Sequence, residues 1–363
     1  MKEPTSTRLL KVPEGLDVAA EALRHGGLVA FPTETVYGLG ANATDEAAVK
    51  RIFAAKGRPV DNPIIVHVSD LVQVAPLVRN YPAAAGQLAE RFWPGPLTLV
   101  LPRSGLVPDV VTGGLDTVAI RMPDHPVARE LIRRAGVPVA APSANLSGRP
   151  SPTRAEDVME DLAGRIEVVL DGGPTGIGVE STVLDLTADP PAILRPGGVT
   201  WEQLRSVLQG VRPAPAAAGS GAGGSDTGGS GAESGPARSP GTKYTHYAPR
   251  ARVEVVAGDP TRVGRRLREL AQGHLKAGRR VALLCAPSTF RGLADLGGGT
   301  VLRRVLDGLD YKVLLAAEVY SQLREFDRQG AEVVLIEGVS TSGLGAAVMD
   351  RLGRAAAGRV WRV

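Results

Sequence analysis

The stretch RPAPAAAGSGAGGSDTGGSGAESGPARSPG, Arg212 to Gly241, contains no large apolar side chain. Gly, Ala, Ser and Pro in that density cannot bury enough surface to offset the entropy lost on ordering. The segment reads as a flexible linker, so folding is confined to its two sides. The 363 residues then divide into a domain over 1–211, a linker over 212–249 and a second domain over 250–363. Each flank is long enough for its own core. GSGAGG inside the linker matches G-x-G-x-x-G, but no strand precedes it and no helix follows, so the match carries no meaning.

The first flank mixes strand-like runs (GLVAFPT, NPIIVHVS, LTLVLPR, TVAIRMP, VPVAAPS, IEVVLDGG, STVLDLT, AILRPGG) with helical ones. DEAAVKRIFAAK starts near Asp45 and stops before Gly57, and PVARELIRRAG ends at Gly136. This order predicts an α/β fold on a mixed, twisted sheet. The second flank has a cleaner strand–helix–strand rhythm: RVEVVAG, DPTRVGRRLRELAQGHLKAG, RVALLCAP, EVYSQLREFDRQG, AEVVLIEGV. That rhythm predicts a small doubly wound parallel sheet.

Cys285, the single cysteine, excludes an internal disulfide and a multi-cysteine zinc site. Within VALLCAPS it reads as a packed small hydrophobe. MKEPTSTRLL lacks the apolar core of a secretory leader, and no run of about 18 apolar residues suggests a membrane span. A cytoplasmic, membrane-free protein is expected. From Tyr244 onward the chain has 19 Lys and Arg against 12 Asp and Glu, a balance of +7, against −3 before it. That bias permits nucleic-acid contact, although a solvated arginine-rich surface explains it as well.

Polar residues gather at the ends of the first flank's strands. FPTETVYGLGANA carries Thr33, Glu34, Thr35 and Tyr37 ahead of a G-x-G-x-x-A pattern, which by itself is weak. In KGRPVDNPIIVHV, Lys56 and Arg58 suit either a helix C-terminus or a phosphate, and Asn62 and His67 follow. Arg121 closes the apolar strand TVAIR and needs an anionic partner. PSANLSGRPSPT is rich in hydroxyls with one charge, Arg149; DGGPTGIGVEST could form an anion-binding nest, and ILRPGG adds Arg195. The acids Glu34, Asp61, Asp124 and Glu180 are scattered, without the pairing of a glycosidase. H-E-x-x-H and G-x-S-x-G motifs are absent. Arg, Lys, Ser, Thr, Asn and backbone N–H groups suit chemistry that runs on placement and charge stabilisation.

Taken in order, FPTETVYGLGANA, KGRPVDNPIIVHV, FWPGPLTLVL, VAIRMPDHP, PSANLSGRPSPT, DGGPTGIGVEST and ILRPGG resemble the YrdC family, whose members are threonylcarbamoyl-AMP synthases. SPGTKYTHYAP and VLIEGVSTSGLGAAVMDRLGRAA resemble its longer, two-domain branch. The resemblance implies a twisted YrdC-like sheet with a basic cavity, followed by a small Rossmann-like domain. It implies that L-threonine, bicarbonate or CO2, and ATP with Mg2+ give L-threonylcarbamoyl-AMP and pyrophosphate. The product would feed N6-threonylcarbamoyladenosine (t6A) formation on tRNAs reading ANN codons, with tRNA and downstream t6A-forming proteins as further partners.

By the same resemblance, Thr35, His67, Arg121, Ser143 and Ser181 would hold threonine. Arg58, Asn62, Thr117, Ala141 (through its backbone), Ser151 and Arg195 would hold the nucleotide. Lys56 would lie near the phosphates, so Lys56 and Arg58 are the candidate catalytic cations. Asn145 would support the pocket, and Tyr247, in preference to Tyr244, would touch the nucleotide from a lid formed by KYTHYAP. No metal ligand is assigned. Two other classes compete: an RNA-binding module without adenylate chemistry, and a hydrogenase-maturation carbamoyl transferase. Arginines dispersed among hydroxyl loops, without stacking aromatics, disfavour the first. A single cysteine disfavours the second, which would need zinc-finger cysteines.

Overall fold

The structure, a computed structural model, describes residues 6–214, 247–296, 301–308 and 310–363. They fall into two compact units, the first comprising 6–147 and 151–214, the second 148–150 and the described residues from Tyr247 on.

The first unit is built on ten strands: β1 (Arg8–Lys11), β2 (Val29–Pro32), β3 (Tyr37–Asn42), β4 (Ile65–His67), β5 (Leu97–Pro102), β6 (Thr117–Arg121), β7 (Val139–Ala140), β8 (Val168–Asp171), β9 (Thr182–Asp185) and β10 (Ala192–Arg195). Their order across the sheet is β1-β8-β2-β3-β7-β4-β6-β5-β9-β10. Parallel pairs (β1 with β8, β8 with β2, β4 with β6, β5 with β9) are interspersed with antiparallel ones, so the sheet is mixed as the sequence pattern predicts. Arg212 N donates to Pro191 O, and Arg212 O accepts from Ile193 N, so this unit extends at least to Arg212.

Local chemistry explains the helices that flank the sheet. Asp45 caps the Glu46–Lys56 helix by accepting from Ala48 N, and Gly57 ends it at φ 61°, a left-handed conformation that favours glycine. Gly38 and Gly40 sit inside β3. A Cβ at Gly40 would lie 2.7 Å from both Phe31 and Val139, so that glycine serves strand packing and the dinucleotide-like pattern is not a phosphate loop.

The second unit carries β11 (Arg252–Ala257), β12 (Val281–Cys285), β13 (Val301–Val305), β14 (Val333–Glu337) and β15 (Val360–Arg362). All pairings are parallel, in the order β13-β12-β14-β11-β15. The doubly wound character follows the predicted rhythm, but β14 separates β11 from β12, which departs from the sequential order of a mononucleotide-binding half. Cys285 is buried on β12, and burial, followed by the Glu337 charge, pushes its thiol up to about 12. It is an inert core residue. Among the described residues, no helix is long and apolar enough to cross a membrane.

Candidate active site

Strand alternation decides which side chains share a face of the first sheet. Thr117, Ala119 and Arg121 of β6 project one way, as do Ile65 and His67 of β4, Thr98 and Val100 of β5, and Val183 of β9. Register carries this face across four strands: His67 lies opposite Arg121, Arg121 opposite Thr98, and Thr98 opposite Val183. Ile65, Val100, Ala119 and Val183 form a small buried apolar patch. The opposite parity (Val66, Leu99, Val118, Ile120, Leu184) belongs to the main core. One face is therefore packed core, and the other is an apolar floor bordered by polar groups.

Arg121 is only 4% exposed, so its charge must be answered inside the protein. Its Nη2 lies 2.8 Å from Glu34 Oε1 and donates to Thr35 Oγ1 at 3.0 Å, and its Nε donates to Gly95 O at 3.3 Å. The approach to Glu34 is off the N–H axis: both Glu34 oxygens are buried and accept no hydrogen bond among the described residues. Thr33 Oγ1 donates to Val36 O at 2.7 Å, so in the 2.8 Å contact of the Thr33 and Thr35 hydroxyls, Thr35 is the donor. With its proton committed, Thr35 offers further partners only a lone pair.

His67 is buried beside Arg121. Burial, followed by the Arg121 charge, pushes its imidazole down to about 3, so it is neutral near pH 7. Its Nδ1 has no partner among the described residues. Asn62 is fully buried, and both polar atoms of its amide lack partners among the described residues. Leaving such a group unsatisfied costs about 1–3 kcal/mol. Thr175 Oγ1, in the loop after β8, is likewise buried and without a partner among the described residues.

Lys56 behaves differently. It is 2% exposed, and its ammonium donates to Ser143 O at 2.5 Å and to Asn145 O. Its own carbonyl accepts from Ser147 N at 2.9 Å. The end of one helix thus clamps the hydroxyl-rich loop from both sides. Within that loop Ser143 Oγ donates to Asn145 Oδ1 at 2.6 Å, and Asn145 Nδ2 donates to Leu146 O at 2.8 Å. The half-buried Arg58 donates to Asn62 O at 3.3 Å and to Pro63 O at 2.9 Å, bracing the turn that carries Asn62.

A third group surrounds Ser181. Its Oγ lies 2.8 Å from Thr98 Oγ1, and Arg195 Nη2 donates to Ser181 O at 2.9 Å and to Ser181 Oγ at 3.2 Å. Ser151 Oγ donates to Glu180 Oε1 at 2.7 Å. The turn after β10 presses on this segment: a Cβ at Gly197 would lie 2.2 Å from Ser181 C and Thr182 N, and one at Gly198 would lie 2.7 Å from Pro96 Cβ.

A family model spanning Sua5, YciO and YrdC, described as telomere recombination, matches residues 21–197. A second, described as the threonylcarbamoyl-AMP synthase C-terminal domain, matches residues 199–357. The threonylcarbamoyl-AMP synthase of Pyrococcus abyssi is 49% identical over 95% of this chain and 95% of its own. The chain belongs to the threonylcarbamoyl-AMP synthase family. The Bacillus subtilis synthase is 48% identical over 95% of this chain and 93% of its own. A crystal structure of P. abyssi Sua5 complexed with L-threonine superposes with a TM-score of 0.87 at 46% identity, covering 99% of this chain and 100% of that one.

Seen as a threonylcarbamoyl-AMP synthase site, the sequence-derived residues fall into distinct sets. His67, Arg121 and Thr35 are gathered by β4, β6 and the turn before β3, and Ser181 and Arg195 by β9 and β10. Ser143 and Asn145 are joined to Lys56. Thr117 shares the face of Arg121, at the opposite end of β6. Ala141 N donates to Ile65 O, so a backbone contact there would fall to its carbonyl. Tyr247 lies in the second unit, buried, with its ring 5.3 Å from that of Tyr320 and 5.7 Å from the Arg351 guanidinium. Tyr244 lies outside the described residues, as does most of the predicted lid. Sequence reading missed Glu34 and Glu180 as partners of Arg121 and Ser151, because each contact joins residues far apart in the chain.

Proposed function

We propose that this chain condenses L-threonine, bicarbonate or CO2, and ATP into L-threonylcarbamoyl-AMP and pyrophosphate, the first step of t6A formation. The observation that carries the reading is a pair of buried, hydrogen-bond-deficient groups, Glu34 and His67, beside Arg121, with Asn62 unsatisfied among the described residues in the turn that leads into β4. A polar group left unsatisfied in a well-packed protein calls for a partner, which a ligand can supply.

In this reading Arg121, with Thr35, His67, Ser143 and Ser181, binds threonine, the guanidinium taking the carboxylate. Arg58, Asn62, Thr117, Ala141, Ser151 and Arg195 bind ATP over the apolar patch. Lys56 acts by holding the Ser143–Asn145 loop in place. The threonine nitrogen attacks the carbon of CO2, or of bicarbonate with loss of water, and gives up a proton to form a carbamate. A carbamate oxygen then attacks the α-phosphorus, the bond to the bridging oxygen breaks, and pyrophosphate leaves. The protein aligns the carbamate in line with the leaving group and offsets charge with arginines. Mg2+ would enter with the triphosphate. Bound there, Mg2+ would neutralise phosphate charge. Cytoplasmic residence, and hand-over of the product to tRNA-modifying proteins, belong to the same proposal.

The test is incubation with ATP, bicarbonate and threonine, with pyrophosphate and the adenylate both measured. Pyrophosphate release that depends on threonine is expected. Release indifferent to threonine, or none, would overturn the reading.

A further inference from the structure

Glu34 is assigned no role by the motifs, yet its two carboxylate oxygens are buried and accept no hydrogen bond among the described residues. A buried carboxylate ordinarily accepts several. Arg121, 2.8 Å away, balances the charge without filling those lone pairs. The backbone around Glu34 is fixed, because Ile177 N donates to Glu34 O at 2.8 Å and Gly178 N to Thr35 O at 3.1 Å. The neighbouring Thr35 hydroxyl offers a lone pair and no proton, because its hydrogen is given to Thr33. Acceptors in need of donors thus lie directly beside a guanidinium. An α-amino acid carries the complementary pair, a carboxylate and an amine on one carbon.

We infer that Glu34 binds the amine of the amino-acid substrate while Arg121 binds its carboxylate. The inference rests on the threonine reading above and adds to it the residue that holds the reacting nitrogen. The Glu34–Arg121 pair neutralises itself; when substrate enters, each partner gains an opposite charge. Glu34 then discriminates the amine-bearing acid from a plain hydroxy acid.

The experiment compares Glu34→Gln, which keeps the side chain's shape, and Glu34→Ala with the parent chain. Three ligands are titrated calorimetrically, the weak ones by competition: threonine; 2-aminobutanoate, which lacks the hydroxyl; and 3-hydroxybutanoate, which lacks the amine. Thermal unfolding checks that both variants are folded. Both should weaken threonine and 2-aminobutanoate by about tenfold or more, the range for a hydrogen bond to a charged group, and leave 3-hydroxybutanoate within about twofold. Equal weakening of all three ligands would mean that Glu34 only positions Arg121, and would overturn the inference. So would an effect confined to the hydroxyl-bearing ligands, or no effect on threonine. Failure of the parent chain to bind threonine would instead overturn the proposed function.

Discussion

Lys56 and Asn62 belong to the same short stretch of chain and are equally buried, but they are opposites in hydrogen bonding. The Lys56 ammonium is held by two carbonyls of the Ser143–Asn145 loop. The Asn62 amide has no partner on either atom among the described residues. The contrast separates two kinds of buried polar group in one site. In the proposed reading the satisfied Lys56 holds the architecture, and the unsatisfied Asn62 takes its partner from a ligand. The clamp around Lys56 belongs to the first kind; Glu34, Asn62 and His67 belong to the second.

Lys56→Met should break the first kind most severely. It leaves two carbonyls without their donor, and denaturant unfolding should record a loss of about 2–6 kcal/mol, from about 1–3 kcal/mol for each buried acceptor left unsatisfied. A folded, fully stable and inactive Lys56→Met would mean that the ammonium serves the ligand directly, and the contrast would collapse.

Asn62→Ala should behave in the opposite way. Removing an unsatisfied amide relieves a desolvation cost, so stability should stay within about 1 kcal/mol of the parent or rise. The KM for ATP should meanwhile increase about tenfold or more, since a site built to hydrogen-bond a ligand loses that bond. A drop in stability above about 2 kcal/mol would show that the amide has a structural partner.

His67 gives an effect seen only at acid pH. Its folded pKa of about 3 lies below the ordinary value of 6.5. The unfolded chain therefore binds the proton more readily, and stability falls as pH drops from 6.5 towards 3. At pH 5 this costs about 2 kcal/mol relative to pH 8. His67→Gln should remove that part of the slope while leaving the carboxylate contributions. Parallel pH profiles for the variant and the parent would show that His67 is not held neutral.

How much of this was legible beforehand follows the same division. Local signals were readable: Asp45 and Gly57 bound their helix, Gly136 ends the Pro126–Ala135 helix at φ 67°, and TVAIR alternates as β6. Short elements were not. β1 and β15 have four and three residues, too few for a period to emerge, and β13 reads as VLRRV with two charges. Within the site, the arginines at strand ends stood out because a charge closing an apolar run demands an explanation. The role of Lys56 was hidden, because its carbonyl partners lie 87 and 89 residues away. The importance of Glu34 was hidden for a different reason: an absent hydrogen bond leaves no mark in a sequence.

One feature of the turn after β10 reaches beyond the folded chain. Gly197 touches the backbone of Ser181 and Thr182 with no room for a Cβ. Every missense change at a glycine codon adds at least that carbon. Codon 197 should therefore drift only among its synonymous forms in working copies of the gene, whatever the mutational bias of the genome that carries it.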